Sequence, residues 1–175
     1  FFFKQKTAYE IPKRDWSSDV CSSDLGGVDL THEWANRSWN VSAFASSARV
    51  AGTPAAIELA QRASGRYFQR PDSRTLRVDP TASSLGGYAG AVQIRKQSGL
   101  HWTGDVWVST TSPGYEINDI GFLQRADRIA TGGGLRYNER RPGRVFRTWS
   151  LSGFQNHTTN YDGNWIEKTF RFGAQ

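Results

Sequence analysis

The amino-acid sequence predicts an all-β fold of about seven long antiparallel strands. Apolar and polar residues alternate with a period of two through most of the chain after residue 26. Several of these runs exceed the length of an ordinary strand, which is about 5–6 residues. The segment with helical features is confined to the connection 51–84. These observations favour antiparallel hairpins, with one short helix in a long loop.

The first 25 residues do not read as native protein. Phe1 to Ile11 and Asp15 to Leu25 resemble translations of the two ends of a short-read sequencing adapter. A signal peptide is the competing interpretation, but the segment has no apolar core and no suitable cleavage site. We therefore treat 1–25 as an adapter-derived artefact with no native domain. Residues 26–175 are expected to be an internal fragment of a longer protein.

Composition restricts the classes of site that the chain could carry. The excluded segment holds the single cysteine, Cys21, and four charges of each sign. The whole sequence has 22 basic and 16 acidic residues, so residues 26–175 have 18 and 12, and the net charge stays at +6. Without a native cysteine, neither disulfides nor a thiolate metal site is expected. The three histidines share no metal-ligand spacing, and we expect neither a metal nor another cofactor. The sequence contains no run of about 18 apolar residues, which is the length that would predict a membrane-spanning helix.

The clearest hairpin lies between Leu85 and Thr111. Each arm alternates, and the apolar face of the first arm continues in the second. A three-residue turn at 97–99 would pair Ile94 with Trp102 and keep like faces together. Gly99 would then supply the left-handed conformation that such a turn requires.

The remaining elements follow from similar patterns. A turn at 35–38 would pair Trp34 with Trp39 and Leu30 with Ala43. Thr53 and Pro54 predict the N-terminus of a short helix that ends near Gly65. Further strands are predicted at 128–138, 145–155 and 165–172, with a candidate short strand at 75–78.

Connection lengths predict a partial antiparallel outer-membrane-type β-barrel. Short connections at 35–38, 97–99 and 139–144 separate long ones at 51–84 and 112–127, as in bacterial outer-membrane barrels. Aromatic residues cluster beside the short turns: Trp34, Trp39, Trp102, Tyr137 and Phe146. Such a ring is expected at the interface between membrane and water. A soluble β-sandwich also has alternating strands and is the alternative.

Two long connections contain the candidate site residues. The loop and pore candidates, which would fold inward and constrict a pore, are Asn118, Asp119, Phe122, Gln124, Arg125 and Asp127. The ligand-binding candidates are Arg66, Tyr67 and Arg70. Guanidinium forks suit anionic sugars or lipopolysaccharide phosphates. The alternatives are an ordinary packed loop and a basic, solvated loop.

Catalysis and nucleic-acid binding have weaker support. Glu116 and Asp119 could form a glycosidase-like carboxylate pair, but acids in loops are more commonly turn caps, so no catalytic residue is assigned. The arginines are dispersed over strands and loops with no helix or aromatic platform that collects them. No nucleic-acid partner is therefore expected.

Four stretches carry a resemblance to a known family. They are residues 64–71, 84–90, 112–127 and 137–147, and they resemble a bacterial family catalogued as a domain of unknown function, number 5916. The resemblance implies the C-terminal barrel of envelope proteins whose N-terminal part is similar to a family 9 carbohydrate-binding module. That module is missing from this sequence. The resemblance offers no catalytic residues to carry over.

The function expected from these features is uptake or surface handling of a solute at the bacterial outer membrane. The resemblance implies lipid as a partner and a carbohydrate or glycan as a candidate ligand. Two alternatives stay open: a soluble extracellular β-sandwich that binds carbohydrate, and part of a glycan-cleaving enzyme.

Overall fold

The strands form one antiparallel sheet in which each strand pairs with the next in sequence. The computed structural model describes residues 2–6, 20–118 and 123–175. The strands are β1 (Phe2–Lys6), β2 (Val20–Trp34), β3 (Trp39–Gly52), β4 (Ser84–Lys96), β5 (Trp102–Thr111), β6 (Arg128–Glu139), β7 (Trp149–Thr159) and β8 (Trp165–Ala174), and helix α1 spans Pro54–Arg62. The predicted all-β fold, with a short helix in the 51–84 connection, is confirmed. The described sheet is open and does not close into a barrel.

β1 and the start of β2 lie in the segment interpreted as adapter-derived. β1 pairs with residues 27–31 at one edge of the sheet. The artefact interpretation of 1–25 stays a prediction. The seven strands β2 to β8 position the features described below.

The hairpin of β2 and β3 has the predicted register. Trp34 pairs with Trp39, and Leu30 pairs with Ala43. Three consecutive turn residues, beginning at Ala35, have positive φ angles between 52° and 62°. A local turn with cross-strand apolar pairs on both sides can be located from sequence alone.

The hairpin of β4 and β5 forms, but its predicted register is wrong by four residues. Ile94 pairs with Val106 instead of Trp102, and the pair nearest the turn is Lys96 with Gly104. Gly99 does not adopt the predicted left-handed conformation. Because the shift is even, each side chain keeps its predicted face.

Neighbouring turns explain the longer connection between β4 and β5. The backbone N–H of Gln97 donates to the carbonyl of Ser38 at 2.8 Å, and the N–H of Asn138 donates to the carbonyl of His101 at 2.8 Å. Residues on both sides of the turn are therefore bonded to adjacent hairpins instead of to each other.

Two other strand predictions are corrected. The predicted strand 145–155 begins at Trp149 and continues to Thr159, so its connections shift with it. Residues 75–78 do not form a strand. Leu76 and Val78 instead pack against the buried cluster that includes Ile57.

The two faces of the sheet differ in chemistry and in cover. We call the first the apolar face; it carries Val28, Val92, Ile94, Val106, Val108, Leu135, Leu151, Phe170 and Phe172, which are 40–88% exposed. The opposite, loop-covered face carries Ser46, Ala48, Val50, Leu85, Ala89 and Ala130. The two long connections pack on this second face, where the buried clusters form.

The described strands belong to a single sheet, whereas a β-sandwich requires two sheets that face each other. The structure therefore disfavours the sandwich alternative. In the part of the chain that is described, no helix has the length and apolar character to cross a bilayer.

Candidate functional site

Three connections meet on the loop-covered face at the end of the sheet with the long connections. Salt bridges join them, and we call the residues involved the loop cluster: Arg66, Arg70, Glu116, Asp127 and Asp162. Arg70 and Asp162, which are hydrogen-bonded, are separated by 92 positions in the sequence. The cluster is the most strongly charged buried region among the described residues.

Helix α1 sets the position of the two cluster arginines. The Thr53 hydroxyl caps the helix by accepting the backbone N–H of Ala56 at 3.3 Å, and Ile57 anchors the helix in the core with 1% exposure. After the helix, Tyr67 adopts a φ of 51°. This turn reverses the chain, so that the N–H of Phe68 donates to Gln61 in the last turn of the helix.

The 112–118 segment is fixed directly against the sheet. The Ser112 hydroxyl accepts the backbone N–H of Tyr88 at 2.8 Å. The Tyr115 hydroxyl lies 2.7 Å from the Ser46 hydroxyl, and its side chain is 5% exposed. Gly87 leaves room for this approach, because a Cβ at that position would collide with the backbone N of Tyr115.

Arg66 joins the first long connection to the second. Its guanidinium donates to the carbonyls of Ala60 at 3.1 Å and Tyr115 at 3.0 Å, and it also bonds the carboxylate of Glu116. The side chain is 2% exposed. The other Glu116 oxygen accepts the backbone N–H of Asn118 at 2.7 Å, so both carboxylate oxygens are engaged in holding the loops.

Arg70 joins three connections at once. Its Nη1 donates to Asp127, and its Nη2 donates to Asp162 at 2.7 Å. The side chains of all three are at least nine-tenths buried. Burial lowers the pKa of Arg70, but hydrogen bonds to Asp162 and Asp127 outweigh it, and the net pKa is raised. Arg70 is therefore a fixed positive charge.

Asp162 accepts hydrogen bonds from several groups of the first long connection. The donors are the Thr75 hydroxyl at 2.8 Å, the Ser73 hydroxyl at 3.0 Å and the Arg74 backbone N–H at 3.2 Å, besides Arg70. The bond from Thr75 lowers the pKa of Asp162 most; burial opposes it, and the bonds from Arg70 and Ser73 add to the lowering. The net pKa lies well below its usual value.

The lowered pKa of Asp162 predicts a pH dependence. Its ionised form stabilises the folded state above the unfolded pKa of about 3.9, and this contribution is lost as the pH falls from there toward the folded pKa. We expect Asp162→Asn to lower the free energy of unfolding more at pH 6 than at pH 3. Denaturant unfolding of both proteins across this range measures the difference. A constant difference would contradict the prediction.

Asp127 occupies a strained position at the start of β6. Its φ is 52°, a left-handed conformation that Asp tolerates better than most residues. One carboxylate oxygen accepts the backbone N–H of Tyr161 at 3.0 Å. The residue therefore connects Arg70 to the 160–164 turn, and its side chain is 2% exposed.

The structure brings most of the sequence-predicted site residues together. A partly open cavity of about 250 Å³ is lined by residues of both predicted groups: Arg66, Tyr67, Arg70, Gln124, Arg125 and Asp127. Asn118 does not line this cavity, and its side chain accepts the backbone N–H of Leu123. Asp119 and Phe122 lie outside the described residues. The pore and ligand roles of all these residues stay predictions.

Sequence reasoning missed the carboxylates that hold the two arginines in place. Asp162 is not among the candidates from the sequence, and Glu116 is considered there only as a weak catalytic candidate. The available signal was charge balance between loops, but sequence alone does not show which loops meet. Among the described residues, no group of three His, Cys, Asp or Glu side chains is placed to hold a metal ion.

The open antiparallel sheet, with one uncovered apolar face and one loop-covered face, defines an all-β protein of hairpin architecture. The model of the family described as "Domain of unknown function (DUF5916)" matches residues 34–174. The chain therefore belongs to this family, as the sequence resemblance suggested. It matches no curated protein and no solved structure.

Proposed function

We propose that the chain is part of an outer-membrane β-barrel whose apolar face contacts lipid and whose loop-covered face lines the interior. The observation that carries this proposal is the uncovered apolar face. Val92, Ile94, Val106 and Val108 adjoin on β4 and β5, and they are 43%, 40%, 60% and 44% exposed. Monomeric soluble proteins rarely expose a contiguous apolar patch larger than a few hundred Å².

The arrangement of polar groups supports the same proposal. In strands β3 to β7, the charged side chains near the middle of a strand lie on the loop-covered face. Asp105 of β5 is an example. Within the sheet the backbone groups are paired between neighbouring strands, as a membrane requires of a spanning segment, and the two outer edges would pair with the other strands of the barrel. Lipid is therefore the occupant that fits this face.

Aromatic rings border the apolar face at both ends. At the short-connection end, Trp34 stacks on Trp39 at 6.0 Å between centroids, and Tyr137 contacts Trp102 at 4.9 Å and Trp149 at 5.1 Å. The rings bordering the other end are Tyr88, Tyr161 and Trp165. About eight residues of a strand separate the two aromatic borders. These residues rise by about 26 Å along the strand, or about 20 Å along the membrane normal when the strand is tilted. This is comparable with the apolar band of about 25 Å in outer-membrane barrels.

We further propose uptake or surface handling of a solute as the role of the barrel. The long connections fold over the interior face instead of away from it, and buried salt bridges hold them there. Such loops would narrow a passage and select among solutes. A glycan-derived solute is the candidate that the family resemblance implies.

A charge on the apolar face tests the lipid contact. We expect Val106→Arg to destabilise the folded protein in a lipid bilayer by about 2–4 kcal/mol, the cost of Arg near a bilayer midplane. Leu59→Arg is the matched control, because Leu59 is 73% exposed on α1, away from the strands. Reversible urea unfolding in lipid vesicles gives both values.

Equal stability of the Val106→Arg and Leu59→Arg proteins would overturn the lipid assignment. A monodisperse, detergent-free monomer of the wild-type protein would overturn it as well.

A further inference from the structure

The connection between β6 and β7, residues 140–148, is strongly basic, and we call it the basic connection. It contains four arginines and no acidic residue: Arg140, Arg141, Arg144 and Arg147. The connections at the opposite end of the sheet, residues 53–83, 112–127 and 160–164, contain six basic and seven acidic residues. Uncompensated positive charge is therefore found at the short-connection end and not at the other.

The arginines of the basic connection have no anionic partner in the part of the chain that is described. All four are exposed, and none makes a salt bridge or a side-chain hydrogen bond there. The neighbouring carboxylate, Glu139, accepts the hydroxyl of Tyr137 at 3.2 Å and the backbone N–H of Arg141 at 2.9 Å. Even with Glu139 counted, residues 139–148 have a net charge of +3. Their guanidinium groups can therefore pair with an external anion.

Two apolar side chains lie between these arginines. Val145 and Phe146 are 82% and 65% exposed, and the backbone N–H of Gly143 donates to the carbonyl of Phe146 at 2.9 Å, which closes the turn. At a membrane interface, apolar side chains enter the headgroup region while neighbouring cations stay near the phosphates. The composition of the connection favours such an interface over a position in bulk water.

The basic connection leads directly into the aromatic border of the apolar face. β7 begins at Trp149, two residues after Arg147, and the Trp149 ring lies 5.1 Å from that of Tyr137. Lys96 adds a further cation at this border, 5.0 Å above the ring of Trp39. Aromatic rings of this kind lie at headgroup depth in a membrane. The adjoining arginines are then within reach of lipid headgroups.

We infer that the basic connection binds the headgroups of anionic phospholipids. Its guanidinium groups would pair with lipid phosphates through charge-assisted hydrogen bonds, while Val145 and Phe146 enter the boundary between headgroups and acyl chains. Anionic lipid is preferred over zwitterionic lipid because the net charge of the headgroup differs, although both carry a phosphate. The inference rests on the proposed lipid contact of the apolar face, and it adds which class of lipid this end of the sheet selects.

Electron spin resonance of spin-labelled lipids tests the inference on the full chain reconstituted in phosphatidylcholine vesicles. Spin-labelled phosphatidylglycerol and phosphatidylcholine are compared by the fraction of each that the protein immobilises. We expect phosphatidylglycerol to associate about threefold more strongly. This preference should fall in about 1 M NaCl, where the Debye length is about 3 Å. In the double variant Arg144→Gln, Arg147→Gln, it should fall to about half or less of the wild-type value.

The double variant Arg74→Gln, Arg77→Gln is the matched control. It removes the same charge from exposed side chains, but these lie in the first long connection, which packs on the loop-covered face. It should keep the wild-type preference. Equal association of the two lipids with the wild-type protein, or an equal loss of preference in both double variants, would overturn the inference. An unchanged preference in the Arg144→Gln, Arg147→Gln protein would overturn it too, and would assign the charge to a partner other than lipid.

Failure of this inference and failure of the proposed barrel give different results. A protein that immobilises both lipids equally has the lipid contact but not the selectivity, and only the inference is then overturned. A protein that immobilises neither lipid overturns both. The unfolding of Val106→Arg in lipid measures the apolar face independently of the basic connection.

Discussion

Arg70→Ala is expected to lower the free energy of unfolding by about 3–5 kcal/mol, the range for breaking one side of a buried ion pair. The substitution leaves the carboxylate of Asp127, 2% exposed, without its counter-charge. It also removes a donor from Asp162, which anchors the first long connection. Denaturant unfolding of the detergent-solubilised protein at neutral pH measures the loss.

Arg62→Ala is the control for this experiment. Arg62 also pairs with a carboxylate, but the pair lies four residues apart on the exposed side of α1, where such pairs contribute about 0.3–0.5 kcal/mol. Adding Asp127→Asn to Arg70→Ala should recover part of the loss, because the unpaired charge is then gone. Equal losses for Arg70→Ala and Arg62→Ala would show that the loop cluster does not stabilise the fold.

Gly87→Ala should detach the 112–118 segment from the sheet. A methyl group at Gly87 would overlap the backbone N of Tyr115 and lie 2.5 Å from the Ser112 hydroxyl. Because backbone atoms cannot rotate away as a side chain can, the segment must move. We expect a destabilisation at the upper end of the about 1–3 kcal/mol typical of overpacking, with faster proteolytic cleavage in this segment.

The neighbouring glycine supplies the control. At Gly86 a Cβ would lie 3.6 Å from the carbonyl oxygen of Ala48, an ordinary van der Waals distance, so Gly86→Ala should be tolerated. Stability and cleavage rate are compared between the two variants under the same conditions. If both proteins behave alike, the close approach of loop and sheet is not what holds the segment.

How well each feature could be predicted from sequence depends on how local its causes are. The hairpin around 35–38 was predicted with its register because the turn and the Trp34–Trp39 pair lie within a few residues. The register after Lys96 was wrong because the bonds that stretch that connection come from Ser38 and Asn138, on other hairpins. Nothing in the local pattern reports those partners.

The candidate site shows the same limit more strongly. Arg66 and Arg70 were identified as functional candidates from residue type. Their partner carboxylates, Glu116 and Asp162, lie 50 and 92 positions away. Choosing these partners requires knowing that three loops fold onto one face, which alternation in the strands does not determine.

Nearest-neighbour pairing has a consequence for the order of assembly. Each completed strand offers its free edge to the next hairpin, so the sheet can grow in chain order without any strand crossing another. Arg70 is synthesised before β4, whereas Asp162 follows β7. The bond between them can form only after β7 has paired with the sheet. The first long connection is therefore fixed in position only at that stage of folding.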